Sequence, residues 1–246
     1  MDQAPESAPL DPEPLRRQLG PVPLLVLKGQ QGDGFGVGCN RAFDYLQQAG
    51  HTGWIWLLNP DTALPQGDEA EQLHKALEGL LPQAVVGTAV QDATGEIEPS
   101  AGWIDPGLNF RCRKVARADC LRPEPLRLDW LSGCSLLIQP AAHPPPARFD
   151  PCFPLYYEDM DLCLRLAQQG AQVLWLPQPA VQHQRGDGSV TPSSRRLELS
   201  STSYVRFLRR HCSPWVIQLR QLRLLLSALL RPRRAGAIWR GFRRAG

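Results

Sequence analysis

The sequence predicts an α/β fold built on a mostly parallel sheet with flanking helices. Three observations lead there. Short apolar runs alternate with amphipathic stretches in the order β-α-β-α-β, which a parallel sheet covered by helices produces. The chain, at 246 residues, is long enough to bury a sizeable core. Its 43% hydrophobic and 21% charged residues are ordinary globular usage, which excludes wholesale disorder and collagen-like repetition.

Taken in order, residues 1–21 hold five prolines and several acids, and read as an extended lead-in. Pro23 to Leu27 is an apolar run bounded by Pro and Gly, a buried strand by pattern, followed by a glycine-rich turn from Gly32 to Gly38. Cys39 to Ala49 reads as a helix closed by Gly50. Trp54 to Leu58 is a second strand, Gln66 to Leu81 a helix with acids in its first turn, and Ala84 to Ala89 a third strand. Residues 91–129 are loop-rich and resist assignment. Trp130 to Ile138 reads as a strand, Pro144 to Pro146 as a break, and Glu158 to Gly170 as a helix with Leu162 and Leu166 on its buried side. Val173 to Leu176 is a last strand and Gly186 to Ser194 a polar loop.

From Arg195 to the end the pattern is helical and basic. Thirteen arginines and one acid, Glu198, give this segment a formal +12, whereas residues 1–194 carry −9, so the overall +3 conceals a strong asymmetry. Such a tail suits an anionic partner. Trp215, Leu219, Leu222, Leu226 and Leu229 or Leu230 fall at helical spacing, interrupted by Arg220 and Arg223. Two readings stand: an anionic membrane surface, or a helical hairpin packed on the rest of the chain. Nucleic acid is disfavoured because no reader fold accompanies the charge. The chain is expected to divide into the lead-in 1–21, an α/β domain over 22–194 and the basic tail 195–246.

The seven cysteines are odd in number, scattered, and never form C-x-x-C, so neither a zinc cluster nor a disulfide framework is indicated and a reducing cytoplasm is expected. The first residues lack the apolar stretch of a signal peptide, and no run reaches the roughly 20 apolar residues of a spanning helix.

Four places could carry chemistry. The glycine turn sits where a dinucleotide loop would, but G-x-G-x-x-G needs glycine at Cys39 or at Val37, so a nicotinamide-binding oxidoreductase is disfavoured. Asn59-Pro60-Asp61 closes a strand at the sheet edge where ligands bind; Asp61 could ligate a hard cation or simply cap the next turn. Tyr156-Tyr157-Glu158-Asp159-Met160-Asp161 places three carboxylates at a helix start, more than capping requires, and one could act as a general base. His183 follows the last strand and by itself stays unassigned.

Together GDGFGVGCNRAF, WIWLLNPDT, WLSGCSLLI, RFDPCFPLYYEDMDLCLRL and VLWLPQPAVQH resemble the family 2 glycosyltransferases of the GT-A fold, in particular their rhamnosyltransferase-like branch, over about residues 22–210. The resemblance implies an inverting, metal-dependent transfer of a sugar, rhamnose in that branch, from a nucleotide-diphosphate donor to a glycan or lipid-linked acceptor. It implies Asp61 as ligand of Mg²⁺ or Mn²⁺, His183 completing the metal site, and Gly34, Phe35, Gly36, Asn40 and Asn59 beside the donor. It also implies Asp159, next to Glu158 in an ED motif, as the catalytic base. The expected setting is cytoplasmic, peripheral to a membrane. Two departures stand out. The family's opening βαβ unit has no counterpart, since the Pro-rich residues 1–21 occupy its place, so the chain is expected to be a truncated reading or a reduced protein. Ala147-Arg148-Phe149-Asp150 replaces the usual Gly-Gly-Phe-Asp. The other reading is a degenerate glycosyltransferase-like binding or scaffold protein.

Overall fold

The structure, a computed structural model, describes residues 11–30, 32–105, 107, 111–122, 124–184, 193–230 and 232–246. It opens with a helix, α1 (Glu13–Leu19), where an extended lead-in is expected. Asp11 accepts the Glu13 N–H at 3.0 Å and Arg16 pairs with Glu13, so local polar contacts hold a short exposed turn of helix despite the prolines. The strand expected at Pro23 to Leu27 does not form: apart from a bridge at Lys28 the segment is irregular. Pro21 and Pro23 supply no N–H, and Leu25 stays 53% exposed.

Helix α2 (Phe35–Gln48) begins four residues before its expected start, because Gly36 and Gly38 are helical rather than part of a turn. At Gly36 the task is close approach. A Cβ on Gly36 would lie 2.7 Å from the Phe149 Cβ. The chain continues through β1 (Ile55–Leu58), β2 (Thr62–Ala63), α3 (Glu69–Leu77) and β3 (Val85–Gln91). The unassigned middle contains β4 (Ala101–Asp105), β5 (Arg111–Lys114), a 3-10 turn (Arg117–Leu121) and β6 (Leu126–Arg127). The single strand expected over 130–138 is two, β7 (Trp130–Leu131) and β8 (Ser135–Ile138), separated by a turn at 132–134. Helix α4 (Glu158–Gln168) and β9 (Val173–His183) follow, then α5 (Ser194–His211), α6 (Pro214–Leu229) and α7 (Pro232–Ala245). Most of the loop expected over 186–194 lies outside the described residues.

The central sheet runs β1-β8-β3-β9-β2 with β6 also on β9, and β5-β4-β7 form a second, antiparallel sheet. The α/β class holds, but the expected mostly parallel pairing does not. β8 inserts between β1 and β3, antiparallel to both, and β3–β9 is the parallel pair among the described strands. Both faces are covered: Val85, Leu136 and Ile138 face a core with Phe43 of α2 and Leu162 and Leu166 of α4, while Val86 and Leu137 face Leu73 of α3. Period-two alternation thus serves two buried faces, so the strands read as continuous apolar runs.

β9 runs seven residues past its expected end. Pro177 and Pro179 cannot donate to a ladder, yet the pairing resumes beyond a register shift, with Leu176 opposite Thr88 and Ala180 opposite Ala89. The resumed half carries Val181, Gln182 and His183 along β3 and β2.

The basic segment is joined to the sheet domain through α5. Asp161 of α4 is fully buried and receives Arg165 at 2.7 Å, Arg210 at 3.0 Å and His211 at 2.8 Å; Arg210 also meets Asp150 at 2.6 Å. Burial alone would raise the Asp161 pKa, but the hydrogen bonds from His211 and Arg165 outweigh it and hold the carboxyl below its ordinary value. Helix α7 lies across α5, with Gly241 against the Glu198 carbonyl at a spacing that a Cβ would reduce to 2.5 Å. Replacing Asp161 with Asn leaves the Arg165 guanidinium and the His211 ring beside a neutral amide, and leaves Arg210 with Asp150 alone. We expect Asp161→Asn to lose about 3–5 kcal/mol of stability in denaturant unfolding at neutral pH, and a loss below about 1 kcal/mol would contradict this role for the cluster.

Candidate active site

The turn Ser132-Gly133-Cys134 brings the sequence-predicted residues into one region. On one side of it lies the 59–63 strand connection. Asn59 N–H donates to the Cys134 carbonyl at 3.2 Å, Thr62 N–H to the Asn59 carbonyl at 3.1 Å, and the Thr62 hydroxyl lies 3.6 Å from Cys134 Sγ. This hairpin-like bend sets Thr62 opposite His183 in the β2–β9 ladder, and the Gln184 N–H donates to the Asp61 carbonyl at 2.7 Å. The Asp61 carboxylate, about half exposed, consequently lies 3.2 Å from Nε2 of the buried His183.

The other nitrogen of His183 reveals a residue that sequence reasoning missed. Nδ1 lies 3.1 Å from Glu98 Oε2, and Glu98 is itself buried. A carboxylate behind a histidine fixes its ring and tautomer and leaves the far nitrogen to a ligand. No local signal marks Glu98, because it reaches His183 from 85 residues away. Among the described residues no group of three or more His, Cys, Asp or Glu is arranged to hold a metal ion. Asp61 and His183 nevertheless form an oxygen-plus-nitrogen donor pair that fits a divalent cation, with the remaining positions left to a ligand's oxygens or water.

On the other side of the turn are the two carboxylates of the ED pair. Gly133 N–H donates to Asp159 Oδ2 at 3.1 Å, and Met160 N–H to Oδ1 at 2.8 Å. Tyr156 and Tyr157 precede them with φ of 63° and 68°. Two consecutive bulky residues in the left-handed region are strained, and such strain persists where the surroundings over-determine it. Here Tyr157 is packed on Tyr204 and Phe207 of α5, and Arg196 donates to the Tyr156 hydroxyl at 2.8 Å, so α5 holds the backward turn that aims Glu158 and Asp159. Among the described residues Glu158 Oε2 is buried without a hydrogen-bond partner.

Burial pushes Glu158 up from its usual 4.5 to about 8, and the neighbouring Asp159 charge adds to this. Burial raises Asp159 as well, opposed by its backbone hydrogen bonds. Two carboxylates this close and this buried resist ionising together. Hydrogen bonds to the charged form favour Asp159 as the anion, and the orphaned oxygen favours Glu158 as the acid.

Gly34, Phe35, Gly36 and Asn40 border this half. The Phe35 ring lies against Gly133, where a Cβ would come within 2.6 Å of it, and Gly34 lies against the Pro154 carbonyl. Asn40 is fully engaged: its amide donates to the Phe149 carbonyl at 2.8 Å and accepts the Phe149 N–H at 2.9 Å. Burial pushes the Cys39 thiol up to about 12, helped by the Glu158 carboxylate. The glycine-bearing start of α2 thus braces the segment leading to the ED pair.

Among solved structures, the crystal structure of GalNAc-T7 with UDP, GalNAc and Mn²⁺ matches with a TM-score of 0.53 at 16% identity, covering 80% of this chain and 38% of the solved one. This chain therefore spans little more than a third of the solved protein. At that identity the likeness shows the fold, and the chain has the GT-A fold. Its particular resemblance is to the N-acetylglucosaminyl-diphospho-decaprenol L-rhamnosyltransferase of Mycobacterium tuberculosis, from strains CDC 1551 / Oshkosh and ATCC 25618 / H37Rv. Each is 26% identical over 209 residues, 76% of this chain and 67% of the relative. No protein-family model matches the chain.

Because Glu158 binds its proton more tightly when folded, its contribution to stability is full below about 4.5 and is lost as pH rises through about 8. Glu158→Gln should flatten that decline and raise stability at pH 9 by a few kcal/mol, measured by thermal or denaturant unfolding at several pH values. An unchanged pH profile would contradict the neutral-acid assignment.

Proposed function

We propose that the chain moves a sugar, rhamnose by its resemblance, from a nucleotide-diphosphate donor to a glycan or lipid-linked acceptor with inversion at the anomeric carbon. The observation that supports this most is the placement of an anion, Asp159, and a cation-binding pair, Asp61 and His183, on the two sides of the same short turn. Transfer with inversion asks for both. Asp159 accepts the proton of the acceptor hydroxyl as that oxygen attacks the anomeric carbon; the new C–O bond forms as the bond to the diphosphate breaks, and the diphosphate departs with the electron pair. Asp61 and His183 would hold Mg²⁺ or Mn²⁺, with Glu98 orienting the histidine. The cation supplies positive charge for the departing diphosphate. Glu158, neutral, keeps a second negative charge away from the donor's own. The relative's decaprenol-linked diphosphate supports a lipid-linked acceptor.

A binding or scaffold role is the second reading. It is favoured by Asn40, whose amide is spent on Phe149 instead of facing a donor. Calorimetric titration with nucleotide-diphosphate sugars in the presence of Mg²⁺ or Mn²⁺ separates the two, because a scaffold that has lost the donor site gives no binding heat. For the transferase, Asp159→Asn should lower the transfer rate by about 10²–10⁴-fold while donor binding persists. Asp61→Ala should instead weaken metal-dependent donor binding. Full transfer by both folded variants would refute the assigned roles.

A further inference from the structure

We propose that α6 and α7 form a docking face for an anionic lipid bilayer. The inference adds a surface to the proposed transfer reaction but stands on exposed side chains alone. Helix α6 presents Trp215, Leu219, Leu222, Leu226 and Leu229 to solvent, with Leu230 just beyond its end. The spacing of 4, 3, 4 and 3 keeps them on one face of the helix, a stripe about 21 Å long. They are not marginally exposed: Trp215 is 71% accessible and Leu230 83%. The opposite side is covered, since Val216 and Ala228 are buried. On α7, Trp239 is half exposed and stacked on Phe242. Soluble surfaces seldom keep so long an apolar stripe without something that covers it.

Charge decides among the occupants. No acidic residue follows Glu198 in the sequence, and Glu198 is taken up by Arg240 and Arg244. Arg210 is taken up by Asp150 and Asp161. Arg223, Arg233, Arg234 and Arg243 are exposed and, among the described residues, make no ion pair. The exposed surface of α6 and α7 is therefore apolar along the α6 stripe, tryptophan-bearing and cationic, with no acid in either helix to receive another cation. A second copy of the chain laid on it would set arginine against arginine. An anionic headgroup layer instead receives the arginines while the leucines and tryptophans enter the acyl boundary. No helix among the described residues is long and apolar enough to cross a membrane, so the mode is to lie on the bilayer.

The test is sedimentation of the full chain with vesicles of phosphatidylcholine alone or mixed with phosphatidylglycerol. We expect binding to the mixed vesicles that weakens with salt and with pure phosphatidylcholine. In Leu222→Gln/Leu226→Gln, which changes two exposed positions, affinity should fall by at least about tenfold; in Arg233→Gln/Arg234→Gln the preference for anionic lipid should shrink. The proposal is overturned if the folded chain ignores anionic vesicles or if the leucine variant binds undiminished. It is equally overturned if gel filtration shows a dimer that this variant dissolves, for then a second copy covers the stripe. Transfer to a short water-soluble acceptor, followed in parallel, reports on the reaction itself and should be the same in wild type and the leucine variant.

Discussion

The Gly133 N–H donates to Asp159, and one residue further on the Cys134 carbonyl accepts from Asn59. Three consecutive residues between two short strands therefore hold the Asp159 carboxylate on one side and the strand end bearing Asp61 on the other. The turn can do this because it leaves one sheet and enters another: β7 pairs with β4 in the small sheet, β8 with β1 and β3 in the central one. Its tip must also be a glycine, since the Phe35 ring fills the space a side chain would take. Donated backbone N–H groups oppose the rise in pKa that burial imposes on Asp159. The difference between Asp159 and Glu158, neighbours in sequence, rests on that one amide and on the Met160 amide next to it.

Around the turn the molecule is held by polar contacts at long range. Asp161 clamps α4 to α5, and α5 in turn packs on the two left-handed tyrosines that precede the carboxylates. The basic helices thus do two separate things. Their first member shapes the candidate site; the second and third leave exposed arginines and an apolar stripe.

What could be read from the sequence was whatever repeats locally. The apolar runs at Trp54, Ala84 and Trp130 became strands, and the Leu162–Leu166 spacing marked the buried side of α4. Asp61 and His183, 122 positions apart, could be paired in advance only through resemblance, and the β2–β9 register is what brings them to 3.2 Å. Periodicity failed where tertiary packing overrode it. Gly36 and Gly38 looked like a turn but are helical, and at Gly36 the lack of a Cβ lets α2 approach Phe149. Pro177 and Pro179 looked like the end of β9, yet the ladder on both flanks restarts beyond them. β8 could not be foreseen between β1 and β3, since nothing in a strand's own residues names its neighbours. Glu98 and Arg210 left no signal either; their meaning lies in what the fold brings to them.

The dependence of both halves of the site on one turn is most directly tested by Gly133→Ala. The added methyl must displace the Phe35 ring and with it the turn. If the turn couples the halves, a folded Gly133→Ala protein will lose affinity for a nucleoside diphosphate with Mn²⁺, measured by calorimetry, and also lose transfer rate beyond what the weaker binding accounts for. Wild-type affinity for the nucleoside diphosphate with Mn²⁺, alongside wild-type turnover, would contradict the account.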